Sequence, residues 1–216
     1  MNRLLLALSL AALSTACAHA GALKVTVLDK EGKPVPDAIV VLAPAAPGTP
    51  KPLPMKVTIS QEKMRFSPAV TLIPVGGQAS LVNNDPWEHH VRASAAGIQN
   101  FDKFAAGGFE LRIDGKVQGM PARSVDARFD QPGAVLLGCH LHASMKAHVY
   151  VSDTPWAALS GAEGDATFEG VPEGPVRIRV WHAEQLLDLP PKQLTLTAAP
   201  AAATLHLQVV PRRRRV

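Results

Sequence analysis

The sequence predicts an all-β protein, and three observations carry that expectation. Short apolar runs with period-two alternation recur along the 216 residues, as at Val25 and Val27 or at Val176, Ile178 and Val180. Turn-forming clusters separate them, such as Asp29-Lys30-Glu31-Gly32-Lys33-Pro34 and Pro172-Glu173-Gly174-Pro175. After the first twenty residues, no long stretch repeats its apolar positions with a helical period.

The chain opens with Arg3, the apolar stretch Leu4 to Leu13 and then Ala18-His19-Ala20, an A-x-A pattern before Gly21. Residues 1–20 are therefore expected to be a cleaved secretion signal, and the protein periplasmic. Leu13-Ser14-Thr15-Ala16-Cys17 offers a rival lipoprotein site, but Ser14 stands where a branched aliphatic is expected. Under either reading Cys139 keeps no partner within the chain. An odd cysteine in an exported protein implies intermolecular pairing, a reactive thiol or a metal ligand.

Residues 21–43 read as a strand pair, with Val25 and Val27 before the turn and Ile39 to Leu42 after it. The segment 44–54, PAAPGTPKPLP, is too rich in proline for a sheet interior and reads as a linker. Between 55 and 153, strand-like runs fall at Lys56–Ile59, Ala69–Pro74, Gln78–Val82, His90–Ala93, Phe109–Ile113, Ala134–Leu137 and Ala147–Val151, enough for a sandwich. Residues 94–108, rich in Ala and Gly, read as a loop or a short helix. From 160 to 210, Val176, Ile178 and Val180 alternate against Arg177 and Arg179, and LTLT and LHLQV continue the pattern. Neither 21–43 nor 160–210 has enough strands to bury a sheet alone, so one small sandwich split by an inserted domain is expected.

The formal net charge is +4, and four of the positive residues are Arg212 to Arg215 in the tail 211–216. That tail reads as a solvated end, and the charge implies no nucleic-acid partner. Beyond the leader no apolar run approaches the roughly 18 residues of a membrane span.

Two short stretches carry chemistry. GCHLHASM, residues 138–145, spaces Cys139, His142 and Met145 as C-x2-H-x2-M between the strand-like runs AVLL and AHVYV. Fully extended, Cys139 and His142 would stand about 10 Å apart, so sharing an ion requires a tightly curled loop. One thiolate, two imidazoles and a weak thioether suit copper, one ion per chain; structural zinc more often takes two or more cysteines and no methionine. The second imidazole comes from NNDPWEHHV, residues 83–91, as His89 or His90. His140 offers a competing imidazole. His148 reads as a surface or hydrogen-bonded residue, and His182 and His206 as structural ones. Asp85 reads as a turn cap. Trp87, Pro86 and Ala143 form either an apolar docking surface or local packing.

These residues resemble the cupredoxins, the blue copper electron carriers, and most of all amicyanin-like and plastocyanin-like members with a short ligand loop. The resemblance spans about residues 55–152. It implies a Greek-key β-sandwich with His89, Cys139, His142 and Met145 as ligands and Val91 as the strand valine after the first ligand. Cupredoxins usually place asparagine directly after that histidine, where this chain has His90, so its outer shell departs from the family pattern. The longer run FDQPGAVLLGCHLHASMKAHVYVSDTP, continuing to RVWHA, is similar to exported bacterial proteins labelled methylamine utilisation proteins. Residues 24–42 and 164–183 resemble the strands of carboxypeptidase-regulatory or transthyretin-like sandwiches. The cupredoxin resemblance implies a one-electron carrier, not an enzyme, exchanging electrons with a redox protein such as a c-type cytochrome or a periplasmic dehydrogenase. Multicopper catalysis would need further H-x-H pairs, and a dinuclear centre a second cysteine. The alternative function is copper binding or delivery without redox duty.

Overall fold

The computed structural model describes residues 20–96 and 108–209. Most of the expected leader with Cys17, most of the 94–108 segment and the Arg212–Arg215 tail lie outside the described residues. The described residues form strands, turns and loops, with no helix among them. In chain order the strands are β1 (Ala20–Leu28), β2 (Ile39–Pro44), β3 (Lys56–Glu62), β4 (Arg65–Ser67), β5 (Val70–Pro74), β6 (Gly77–Asn83), β7 (His89–Ala95) and β8 (Glu110–Ile113). They continue as β9 (Arg123–Phe129), β10 (Gly133–Cys139), β11 (Lys146–Ser152), β12 (Ala157–Leu159), β13 (Asp165–Pro172), β14 (Gly174–Trp181), β15 (Lys192–Leu196) and β16 (Ala201–His206).

Four sheets pack as two sandwiches. The first joins β13-β1-β16 to β12-β2-β14-β15, and the second joins β5-β11-β10-β7-β8 to β4-β3-β6-β9. β1 pairs antiparallel with β13 and parallel with β16, so the first strand of the chain is hydrogen-bonded to strands some 140 to 180 positions later. Its alternation explains the placement: Leu23, Val25 and Val27 are buried, while Lys24 is exposed. They meet Val40, Leu42, Val176 and Ile178 from the facing sheet in one core.

The second core takes Ile59, Ala79, Leu81 and Phe129 from one sheet and Val91, Leu137, Ala147 and Val149 from the other. β9 has no continuous apolar run: Val125, Ala127 and Phe129 turn toward the core while Asp126 and Arg128 face water. β4 and β12 are only three residues long. The two three-residue strands are too short for a period to show, whereas β9 alternates and falls outside the expected strand-like runs.

The two sandwiches share a third apolar cluster. Ile39 and Val41 of β2 and Ala157 of β12 contact Val70 of β5, with Leu53, Leu72, Tyr150 and Trp181 around them. β2 is therefore buried on both faces, which is why it reads as the unbroken run IVVL instead of alternating. Within 44–54, Pro44 pairs with Val176, and Gly48 lies against Gly170 and Trp156 with no room for a β-carbon.

His148 also lies in this junction: its ring meets Trp181 edge-on at 5.6 Å between centroids, and Tyr150 tilts against the same indole at 5.6 Å. It is partly buried there rather than free on the surface. Burial, then the charge of His182 and that of Lys146, push its pKa down to about 4 from the usual 6.5. His182 is lowered as well, chiefly by burial. A histidine whose folded pKa is depressed binds its proton more readily when unfolded, so its contribution is present above pH 6.5 and is lost as pH falls toward 4. Denaturant unfolding should accordingly show stability declining across that interval, and a His148→Gln variant should show a shallower decline.

Candidate metal centre

The site grows out of strand register. β10 pairs with β7 so that Cys139 stands opposite Val91, and His140 N donates to His90 O at 3.0 Å. The start of β7 thus lies beside the end of β10. Because strand residues alternate faces, His89 and His90 point to opposite sides. His89 turns inward and is 0% exposed. His90 turns outward, where its ring meets His140 at 4.9 Å and its Nε2 lies 3.7 Å from Glu110 Oε2.

The six residues between β10 and β11 supply the curl. Cys139 N donates to Met145 O at 3.3 Å, and Met145 N to His142 O at 3.0 Å, folding the loop back on itself. Cys139 Sγ then lies 3.7 Å from His89 Nδ1 and 3.6 Å from His142 Nδ1. The His89 and His142 rings meet edge-on at 5.0 Å, and the three ligand atoms fall within 4.8 Å of one another. Met145 is 1% exposed and shares the core cluster that holds Cys139.

This donor set fits a metal. Bond lengths of about 2.3 Å to thiolate sulfur and about 2.0 Å to imidazole nitrogen separate those donors by about 3.5–3.7 Å at tetrahedral to trigonal angles. Both sulfur–nitrogen distances match that span without rearrangement. Of the residues singled out from sequence, His89, Cys139 and His142 come together, with Met145 buried alongside. His90 and His140 form a separate outward pair, with Arg92 Nη1 at 3.4 Å from His140 Nε2. His182 accepts from Glu184 N at 3.2 Å, and His206 Nδ1 lies 3.4 Å from Asp29 O, away from the cluster.

No protein-family model matches the chain, and no curated protein matches it. Among solved structures it is similar to the reduced Cu(I) form of the P52G mutant of amicyanin at pH 4. That match has 13% identity and a TM-score of 0.36, covering 51% of this chain and 98% of the other. Amicyanin from Paracoccus versutus matches at 21% identity and a TM-score of 0.34, covering 51% and 97%. The copper-containing nitrite reductase NirK from Thermus scotoductus SA-01 matches at 24% identity and a TM-score of 0.36, covering 52% of this chain and 26% of that one.

Two further residues hold the site and had no assigned part in it. Asp85 lies four residues before His89, and its Oδ2 stands 2.9 Å from His89 Nε2. Its carboxylate also accepts from Lys63 N at 2.6 Å and Met64 N at 3.0 Å, so the turn it caps is the distant one between β3 and β4. Burial pushes its pKa up, but the Met64 N–H, His89 and the Lys63 N–H together outweigh that and hold the carboxyl below its usual value. An ionised Asp85 accepts a hydrogen bond from His89 Nε2–H, which keeps the proton on Nε2 and leaves the Nδ1 lone pair aimed at the sulfur side.

Asn83 is the second. Its Nδ2 donates to the carbonyls of Trp87, Ile113 and Asp114 at 2.8, 3.0 and 3.1 Å, and its Oδ1 accepts from Asp85 N at 2.9 Å. Lys116 N donates to Asp85 O at 2.7 Å, and Gly115 sits so close to the Pro86 carbonyl that a β-carbon would collide with it. The N-x-D spacing is a sequence signal for such a turn, but four of its partners, Lys63, Met64, Ile113 and Asp114, lie some 20 to 30 residues away. An Asn83→Ala variant strands these buried groups and should cost at least about 2 kcal/mol. Urea unfolding of the metal-free protein measures it.

Proposed function

We propose that this protein is a mononuclear copper protein of the cupredoxin kind, one that carries single electrons between redox partners in the periplasm and catalyses no reaction itself. The observation that supports this reading best is the triangle of His89 Nδ1, Cys139 Sγ and His142 Nδ1, the first two buried and the third partly so, with both sulfur–nitrogen distances at the span a shared metal requires. Met145, buried at the end of the same loop, would offer a bound copper ion a weak thioether donor.

Copper bound there supplies a one-electron couple between its two oxidation states. The chain's own part is to keep the donors still. Cys139 ends a strand, His89 begins another paired to it, and the loop holding His142 and Met145 is pinned by its own backbone bonds. Donors that do not move between oxidation states keep reorganisation small, the requirement for rapid electron exchange. Cys139, 6% exposed, and His89, fully buried, are shielded from exchange with passing thiols or metals, which favours retention over delivery.

An electron partner, a c-type cytochrome or a periplasmic dehydrogenase by class, would approach the ligand loop. Trp87 and Leu141, 43% and 55% exposed, flank the ligands in sequence and offer apolar contact beside Pro86 and Ala143.

Addition of Cu(II) to the purified protein should produce an intense thiolate-to-copper absorption band and narrow copper splitting in electron paramagnetic resonance. Both should vanish in Cys139→Ala and in His89→Gln, whereas His90→Gln should keep them. A weak, ordinary Cu(II) spectrum that Cys139→Ala leaves unchanged would sink the proposal, and rapid loss of the bound ion to a chelator would favour delivery.

A further inference from the structure

We propose that Asp85 is a positioning residue that sets the balance between the two oxidation states of the bound metal by acting through His89. The inference rests on the copper reading above and extends it to a residue that binds no metal itself.

Asp85 is 4% exposed, and every close contact of its carboxylate is with a donor: Lys63 N, Met64 N and His89 Nε2. Two of these are backbone groups, from a turn in which Lys63 and Met64 have φ of 52° and 56°. Within this turn both adjacent N–H groups reach the same carboxylate, an arrangement that suits an anion. The main chain of Asp85 is held as firmly, by Asn83 Oδ1 on one side and Lys116 N on the other. The carboxylate has little freedom to swing away from the imidazole.

A neutral hydrogen-bond acceptor at Nε2 would suffice to choose the tautomer. A buried anion does more. It draws the Nε2 proton toward itself and raises electron density at Nδ1, and the low local dielectric strengthens the effect. A more basic Nδ1 binds the doubly charged ion more strongly than the singly charged one. Asp85 thereby favours the oxidised state and lowers the midpoint potential. The turn between β3 and β4, which contributes no ligand, becomes part of the electrostatic surroundings of the metal.

The test uses Asp85→Asn in the full chain, with Cu(II) and Cu(I) affinities measured by competition and the midpoint potential by titration. Loss of the carboxylate should weaken Cu(II) binding at least tenfold more than Cu(I) binding. For one electron, each tenfold difference raises the potential by about 59 mV. Asp85→Ser, smaller and also neutral, is read in the same way should Asp85→Asn not fold. Nitrogen NMR of the metal-free wild type needs no variant and should find the His89 proton on Nε2.

A wild type that shows the thiolate band, with both affinities unchanged or equally lowered in the variant, overturns the role of Asp85 alone. So does a metal-free His89 carrying its proton on Nδ1. A wild type without the thiolate band overturns the copper reading, and this proposal with it.

Discussion

The metal end of the molecule depends on one pairing, that of β7 with β10. Cys139 opposite Val91 is the register that brings the start of one strand against the last residue of the other. A slip of one residue would exchange the faces of His89 and His90, leaving a partly exposed imidazole inside and the buried one in water. The apolar row Val91, Ala93 and Leu137 enforces the observed register, because each of these would be expelled from the core by the same slip. Hydrophobic burial along the strands therefore decides which histidine faces the thiol.

Around that pairing runs a buried polar cluster with every named group matched. Asn83 and Asp85 satisfy three carbonyls, two amides and an imidazole proton from β7, the segments flanking it and the turn after β3. In a low-dielectric interior such a cluster is strongly stabilising only when complete, and costly when a member is removed. It ties separate stretches of chain to the ligand strand. The metal-binding loop, by contrast, is short and held mainly by its own backbone bonds.

The first sandwich is attached to the metal-binding one through β2 and Trp181, which lie against Val70, Leu72 and Tyr150. The junction is apolar, and burial lowers the pKa of His148, which meets Trp181 there, and of His182. Much of the fold was legible along the chain, since alternation marks β1, β6 and β14 and turn residues mark their ends. β9 carries the same alternation, Val125, Ala127 and Phe129 against Asp126 and Arg128, though the expected strand-like runs did not include it. β4 and β12 are too short for any period to show.

At the site, the residue types and the C-x2-H-x2-M spacing are properties of the sequence alone, because a loop of fixed length between two strands can curl in few ways. The sequence also determined that strand residues 89 and 90 must face opposite sides. His89 shares its face with Val91 and Ala93, so the alternation itself favours His89 inward; only tertiary structure decided that β10 lies beside β7 with Cys139 opposite Val91. The same holds for Asp85, which as a local pattern reads as the cap of its own turn. Its carboxylate instead receives Lys63, Met64 and His89, and contacts between β3, the β6–β7 loop and β7 exist only once two sheets have closed over a common core.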